Sequence, residues 1–559
     1  MVAAVAGAWL LTGCKTAPTT PVSRAEPPQV SRVTTTKAEA RPAKAAKIAS
    51  AHAHFAAGVV RELNGENDAA LEEFLRAAAA DPDDETLMLD VSRRLLLNKQ
   101  PDKALDFLLA VTARGGAGGE IHARLGNVYA QLGRTGEAIA ANRIAVKKSP
   151  RFLTGYQNLF FNLLANKQPA EALKLLDEAA RLEGVSAEFL LGLGDLYQNY
   201  SQQFPTQREV IQKKALAVLM RAEKLKPSDA RTRLRLADGF YILGENQRAA
   251  ELYLPLLGQI DDLPLVLENV RAKLAEIYLR SDDHARAREQ LEAIVRDDPA
   301  NAQANYFLGS IAYDDQRWTD AVEHLRKTLV ISPNFEPAYN DLAAAQLAAE
   351  DAAGALETMA RARARFPQSF TTEYLTALAQ GRQKNFAEAI KYFTSAEVIA
   401  RAGDPKRLTA EFYFEVGIAF EHKGDRPEAE KYFELALKLK PEFPEVQNYL
   451  GYMWAERGEK LDRARDLIEQ ALKAEPKSAA YLDSMGWVLF KLNQPKPALD
   501  YMLKAVAENG KPDATLYDHL GDIYAALSQT DQAREAWQKS LSVEDSELVR
   551  KKLNPPRSP

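Results

Sequence analysis

One pattern limits this chain more than any other: the same residue types return every 34 positions through most of its 559 residues. In LGNVYAQLGRTGEAIAANRIAVKKSP the pattern is carried by Leu125, Gly126, Tyr129, Ala138, Ala145 and Pro150. The same offsets recur in VGIAFEHKGDRPEAEKYFELALKLKP as Val416, Gly417, Phe420, Ala429, Phe433, Ala436 and Pro441. Near the start they recur as Gly58, Ala70, Phe74, Ala77 and Pro82. Small residues at three fixed places let helix backbones approach, and large apolar residues between them fill the grooves. Proline then stops the second helix, because it has no N–H to donate. Each helix pair leaves an apolar face open for the next pair to cover, so the pattern predicts a stack.

These residues resemble the tetratricopeptide repeat, a pair of antiparallel helices of about 34 residues. With the central glycine as marker, the repeats fall at Gly58, Ser92, Gly126, Phe160, Gly194, Ala237, Ala275, Gly309, Ala343, Ala377, Gly417, Gly451, Gly486 and Gly521. The resemblance implies an all-α fold, a right-handed superhelical solenoid of about fourteen helix pairs over residues 51–545. The spacing lengthens after Gly194, after Ala237 and after Ala377, which predicts three blocks of about 51–203, 204–403 and 404–545. Residues 546–559 read as a polar C-terminal tail.

The chain's single cysteine, Cys14, cannot form an internal disulfide. It follows an apolar run of signal-peptide length, although no Lys or Arg precedes it. Leu11-Thr12-Gly13-Cys14 resembles the lipobox of bacterial lipoproteins. That resemblance implies a signal peptide over 1–13, a diacylglyceryl group on Cys14 and a place in the bacterial cell envelope; Lys15 in the next position resembles an outer-membrane sorting signal, facing the periplasm. Residues 15–50 are poor in large apolar side chains and read as a disordered tether. Lys or Arg at 15, 24, 32, 37, 41, 44 and 47 against Glu26 and Glu39 give this tether a charge of 7 − 2 = +5. The net charge of −5 therefore leaves −10 on the rest of the chain. A basic tether beside anionic headgroups adds to the attraction of the lipid, whereas an acidic body is a poor match for nucleic acid.

Repeats leave no stretch for a separate catalytic domain, and no metal or cofactor motif stands out. His52 and His54, two apart on a helix, point to different faces and would not share a metal. GGAGG at 115–119 lacks the Lys-Ser or Lys-Thr of a phosphate loop and reads as a connector between helices. The expectation is a chain that is not an enzyme and needs no cofactor.

In tetratricopeptide arrays the first helix of each pair lines a concave wall where ligands commonly bind. The carboxylate clamp of that family, a Lys and an Asn at fixed positions, is absent here: the matching pairs include Ala123 with Asn127 and Asn448 with Tyr452. The inward positions instead offer cations and rings, Arg231, Arg235, Tyr241, Lys273, Arg280, Tyr306, Phe307 and Tyr313, as a candidate groove for peptide segments carrying carboxylates. A second, acidic segment comprises Glu411, Glu415, Glu421, Glu445 and Glu456. The partners implied are envelope proteins or peptide segments, together with the membrane through the N-terminal lipid. The function expected is a membrane-tethered scaffold or adaptor, for example for a periplasmic protease or an assembly or secretion factor. The alternative is a glycan-binding or polysaccharide-export component.

Overall fold

A computed structural model describes residues 40–554, with side chains from residue 45. The signal-peptide and Cys14 expectations lie outside the described residues. Two compact units divide between Ala249 and Ala250.

In the first unit the helices run α1 (Ala40–Leu63), α2 (Asn67–Ala80), α3 (Glu85–Leu97), α4 (Pro101–Ala113), α5 (Gly119–Gln131) and α6 (Thr135–Lys148). They continue as α7 (Leu153–Ala165), α8 (Pro169–Ala179), α9 (Ala187–Gln203), α10 (Arg208–Lys224), α11 (Ala230–Ile242) and α12 (Asn246–Tyr253), the last ending just past the division. The second unit holds α13 (Pro264–Arg280), α14 (His284–Asp297), α15 (Ala302–Asp314), α16 (Trp318–Ile331), α17 (Glu336–Ala348), α18 (Ala352–Arg365), α19 (Phe370–Arg382) and α20 (Phe386–Ala402). Then come α21 (Ala410–Lys423), α22 (Arg426–Leu439), α23 (Pro444–Arg457), α24 (Leu461–Ala474), α25 (Ala479–Lys491), α26 (Pro495–Glu508), α27 (Ala514–Ala526), α28 (Thr530–Val543) and α29 (Glu547–Leu553). No strand occurs among the described residues.

Every marker residue lies inside an odd-numbered helix, from Gly58 in α1 to Gly521 in α27, so fourteen pairs form as the period requires. Odd helices pack against their own even partners, as α1 does against α2 and α21 against α22, and in several places odd helices of successive repeats touch, as α5 touches α7 and α23 touches α25. Why the marker is small is visible at Gly417. A Cβ placed there would lie 2.5 Å from the ring of Phe433, which is fully buried on the partner helix.

The chain enters and leaves each repeat by repeated devices. Asp84, Asp229 and Asn301 cap α3, α11 and α15 by accepting from Leu87, Thr232 and Ala304 backbone N–H groups. The residue four before the marker often ties back to the proline that closed the previous repeat. The Tyr156 hydroxyl donates to the Pro150 carbonyl (3.1 Å), Tyr339 to Pro333 (3.0 Å) and the Gln447 amide to Pro441 (2.8 Å).

Seven residues after the marker the backbone turns into the left-handed region, at Gly65, Lys99, Gly133, Lys167, Gly244, Asp282, Gln316, Glu350, Lys384, Gly424, Gly458, Asn493 and Ser528. In each case two backbone N–H groups reach back over the helix end. In the second repeat they are Lys99 to Leu96 and Gln100 to Leu95, both 3.0 Å. This is the Schellman closure, which satisfies carbonyls that a helix end would otherwise leave bare. Only the fifth repeat omits it, because α9 runs on to Gln203.

The three lengthened spacings are absorbed by longer helices. Both α9 and α10 reach 17 residues around a short turn at Pro205–Gln207; α13 has 17 residues and opens on Pro264; α20 has 17 and is followed by a turn at Pro405–Arg407. At the N-terminal end α1 begins at Ala40, so helix extends back into the stretch read as tether, where Ala and Lys are good helix formers. At the other end, part of the stretch read as a polar tail forms α29, whose Val549 is buried against Ala533 and Trp537.

Candidate functional site

The residues of the expected basic groove divide between the two units. In the first, Arg231 and Arg235 are exposed on α11 and Tyr241 is half-buried. Arg235 is ion-paired with Asp195 at 2.7 Å, so part of its charge is already answered within the repeat stack. In the second, the Lys273 ammonium lies 5.8 Å from the Tyr253 ring centre, and Arg280 donates to Glu276 at 2.5 Å. Tyr306 donates its hydroxyl to Asp341 (2.7 Å) and packs edge-on against Phe335 (4.9 Å). Burial and that carboxylate push the Tyr306 phenol up to about 12. Phe307 lies beside Tyr306 and Tyr313 against Trp318, at 5.6 and 5.1 Å between ring centres. The rings therefore serve mostly as packing between neighbouring helices.

The acidic segment is gathered differently. In the second unit, Glu421 of α21, Glu456 of α23, Asp483 of α25 and Asp513, just ahead of α27, all line one cavity of about 460 Å³. First helices of successive repeats supply most of its wall, because the 34-residue period returns each of them to the same side of the stack. Tyr449, Tyr452 and Asn448 of α23 line it as well, with Arg426 the one Lys or Arg in the lining. Burial, followed by Glu456, Asp483, Asp513 and Glu421, pushes the Tyr452 phenol far above its ordinary range. The four acids thus act together on one ring.

Their existing commitments are few. Asp483 is hydrogen-bonded to the His519 ring at 3.0 Å, and His519 itself stacks on Trp487 with ring centres 3.8 Å apart. Asp513 accepts from the Leu516 backbone N–H at 3.1 Å as the cap of α27. His422 approaches Glu421 at 3.6 Å. The amide oxygen of Asn448, a lining residue, is buried and accepts no hydrogen bond, which leaves an acceptor unused at the site.

A neighbouring cavity of about 530 Å³ is lined by Arg382 of α19, Phe386 and Phe393 of α20, and Glu415 and His422 of α21. Burial raises the Glu415 carboxyl above its usual range against the opposing pull of Arg382. Burial, with Glu415 and Glu411, pushes Tyr374 up to about 12. Tyr449 is raised by burial and then by Glu421 and Glu415, so it sits in the field of both cavities. Glu411 itself is exposed and salt-bridged to Lys440 at 3.2 Å, and Glu445 is exposed at the start of α23. Of the five acids expected, Glu421 and Glu456 therefore share one cavity, Glu415 lines the next, and Glu411 and Glu445 line neither. Asp483, Asp513, Asn448, Tyr449 and Tyr452 complete the site; Asp483 could have been found, since it sits at an inward position of its repeat, three before Gly486.

Stacked helix pairs whose first helices share one side define a helical-repeat protein. Tetratricopeptide repeats are found within it: one tetratricopeptide repeat family profile matches residues 93–151, 272–334 and 340–405, and a second matches 410–443. The TPR repeat-containing protein PA4667 of Pseudomonas aeruginosa is 32% identical over 102 residues, which is 18% of this chain and 17% of that protein's length. Among solved structures, the chain is similar to one in the APC/C hetero-tetramer Cut9-Hcn1, at 17% identity, 83% coverage of this chain, 94% of the other and a TM-score of 0.39. MamA is similar over 31% of this chain and 92% of its own, at 24% identity and a TM-score of 0.28. A tetratricopeptide repeat protein of Parabacteroides merdae is similar over 51% and 97%, at 16% identity and a TM-score of 0.32.

Proposed function

We infer that this chain is a non-catalytic scaffold of the bacterial cell envelope, held to the outer membrane on its periplasmic side through a lipid on Cys14 and a basic tether. It captures segments of other envelope proteins along the groove of its repeats and concentrates them at the membrane. A periplasmic protease adaptor and an assembly or secretion factor both fit this description. The observation that carries the reading is the cavity in which four carboxylates from successive repeats converge beside two tyrosines of α23, with Arg426 the one Lys or Arg in the lining. Tetratricopeptide repeats generally act as protein-interaction scaffolds, and this cavity is the kind of recessed, partly aromatic surface on which such binding concentrates.

Cell fractionation tests the anchor: the parent chain is expected in the membrane fraction and Cys14→Ser in the soluble one. Crosslinking in intact cells tests the capture, with a photoreactive residue in place of Tyr449. Defined crosslinks to envelope proteins are expected. A Cys14→Ser variant that stays in the membrane fraction, or substrate turnover by the purified chain alone, would overturn the reading.

A further inference from the structure

The chemistry of the larger cavity names its ligand more closely than the scaffold reading, on which this inference rests. Its charged groups are overwhelmingly acceptors. Glu421, Glu456, Asp483 and Asp513 all line it, and the oxygen of Asn448, which lines it too, is buried without a donor. A site lined with acceptors is satisfied by a ligand rich in donors, and an ionised donor gains most, because charge-assisted hydrogen bonds are the strong ones.

A metal ion is a poor candidate for that donor. Among the described residues no three His, Cys, Asp or Glu side chains stand close enough to hold one. The acids are instead spread over four successive repeats, around a space within the roughly 300–1000 Å³ of small-ligand sites. Such a spacing suits an organic cation with a long stem. The Tyr449 and Tyr452 rings offer that stem an apolar surface and the cation a negative face. The second cavity shares α21 with the first, through Glu415 and His422 beside Glu421, and Tyr449 feels the carboxylates of both, so the ligand should be extended rather than a compact small molecule.

We propose that the groove over α21, α23, α25 and α27 binds an extended polypeptide segment of a partner protein through a Lys or Arg side chain seated among Glu421, Glu456, Asp483 and Asp513. The partner is thus recognised by a basic stretch. Arg426 at the rim sets a limit on where the next cation of that stretch can lie.

The test uses the full chain and two short fluorescein-labelled peptides, a Gly-Lys-Ser repeat and its Gly-Glu-Ser counterpart, read by fluorescence polarisation. The lysine peptide is expected to bind, with an affinity that falls as salt rises, and the glutamate peptide to show none. Glu421→Gln with Glu456→Gln should weaken binding by about tenfold or more. Glu469→Gln with Asp531→Asn removes the same charge from exposed sites outside the cavity and should leave binding unchanged. Circular dichroism verifies that both variants fold. Equal weakening by both pairs would reduce the effect to the overall acidity of the chain and overturn the proposal. So would spermidine binding as tightly as the peptide, since that would make the site one for small cations. The two readings fail separately: crosslinked partners without lysine-peptide binding would remove only the ligand class. Peptide binding by a chain whose Cys14→Ser variant stays in the membrane fraction would remove only the anchored scaffold.

Discussion

At the scale of single residues, the repeat is governed by what fits between two backbones. Gly417 shows this most sharply, because the Phe433 ring occupies the volume a methyl group would need. Gly417→Ala is expected to cost roughly 1–3 kcal/mol, the usual range for overpacking a close-packed core. A lowered urea midpoint at an unchanged slope would register it. Markers that are already alanine, such as Ala237 and Ala343, show that the site need not be bare, and the fourth repeat fits a buried Phe160 there. Glu415 makes a different point. Burial raises its folded-state pKa, so the folded chain holds that proton at pH values where the unfolded chain has released it. Stability from this group is therefore fully present below the unfolded carboxylate range, and is lost as pH rises through the folded pKa. Glu415→Gln removes the burden of burying that charge. The variant should melt above the parent at neutral pH, and the difference should vanish once the pH falls below the ordinary carboxylate range. A melting difference that persists unchanged into acid would show that the charge is not its origin.

At the scale of elements, what could be read beforehand and what could not have separate physical causes. Helix pairs were legible because small residues and prolines recur at a fixed period, and only helix packing requires that combination. The left-handed turns were not, because Lys99, Lys167, Gln316, Glu350 and Lys384 stand where glycine would have announced them. Two helices locked antiparallel impose the turn, and the residue bears the backbone cost. Half of the acidic cavity was legible in the same sense. Glu421 and Glu456 follow from inward-facing helix positions, whereas Asp513 lies in the turn before α27, where helical periodicity has ended. The last helix was also hidden, since EDSELVRKKL is polar along most of its length. Its single buried residue, Val549, meets Ala533 and Trp537, and Lys552 reaches Asp518 and Asp522, both at 2.7 Å. Burial works against the Lys552 charge, but these two acids hold its ammonium above the ordinary range. A chain ending at Glu544 should lose about 2–4 kcal/mol from the final repeat. Hydrogen exchange would place that loss in α27 and α28, and an unchanged exchange rate there would show that α29 is no cap.

At the scale of the whole molecule, the division into two units sets what each part can be asked to do. The rings and cations once read as one basic groove belong partly to one unit and partly to the other, and many answer to partners within their own stack. The acidic cavity lies wholly within the second unit and is assembled from successive repeats there. Sequence periodicity can place a side chain on the inward wall, but it does not say whether a neighbour has already neutralised it; Arg280 beside Glu276 and Glu456 in the cavity look alike until the partners are known.

Packing between neighbours has a consequence for force. Within each unit, helices touch chiefly those one or two places along the chain, so few contacts with distant repeats have to break before a repeat can come away. Pulled at its two ends, such a stack yields from its weakest link, a helix pair at a time, paying out length while the remaining pairs keep their shape. A protein built this way behaves as an extensible strap, and a load that would shatter a globular domain of the same size would only lengthen it.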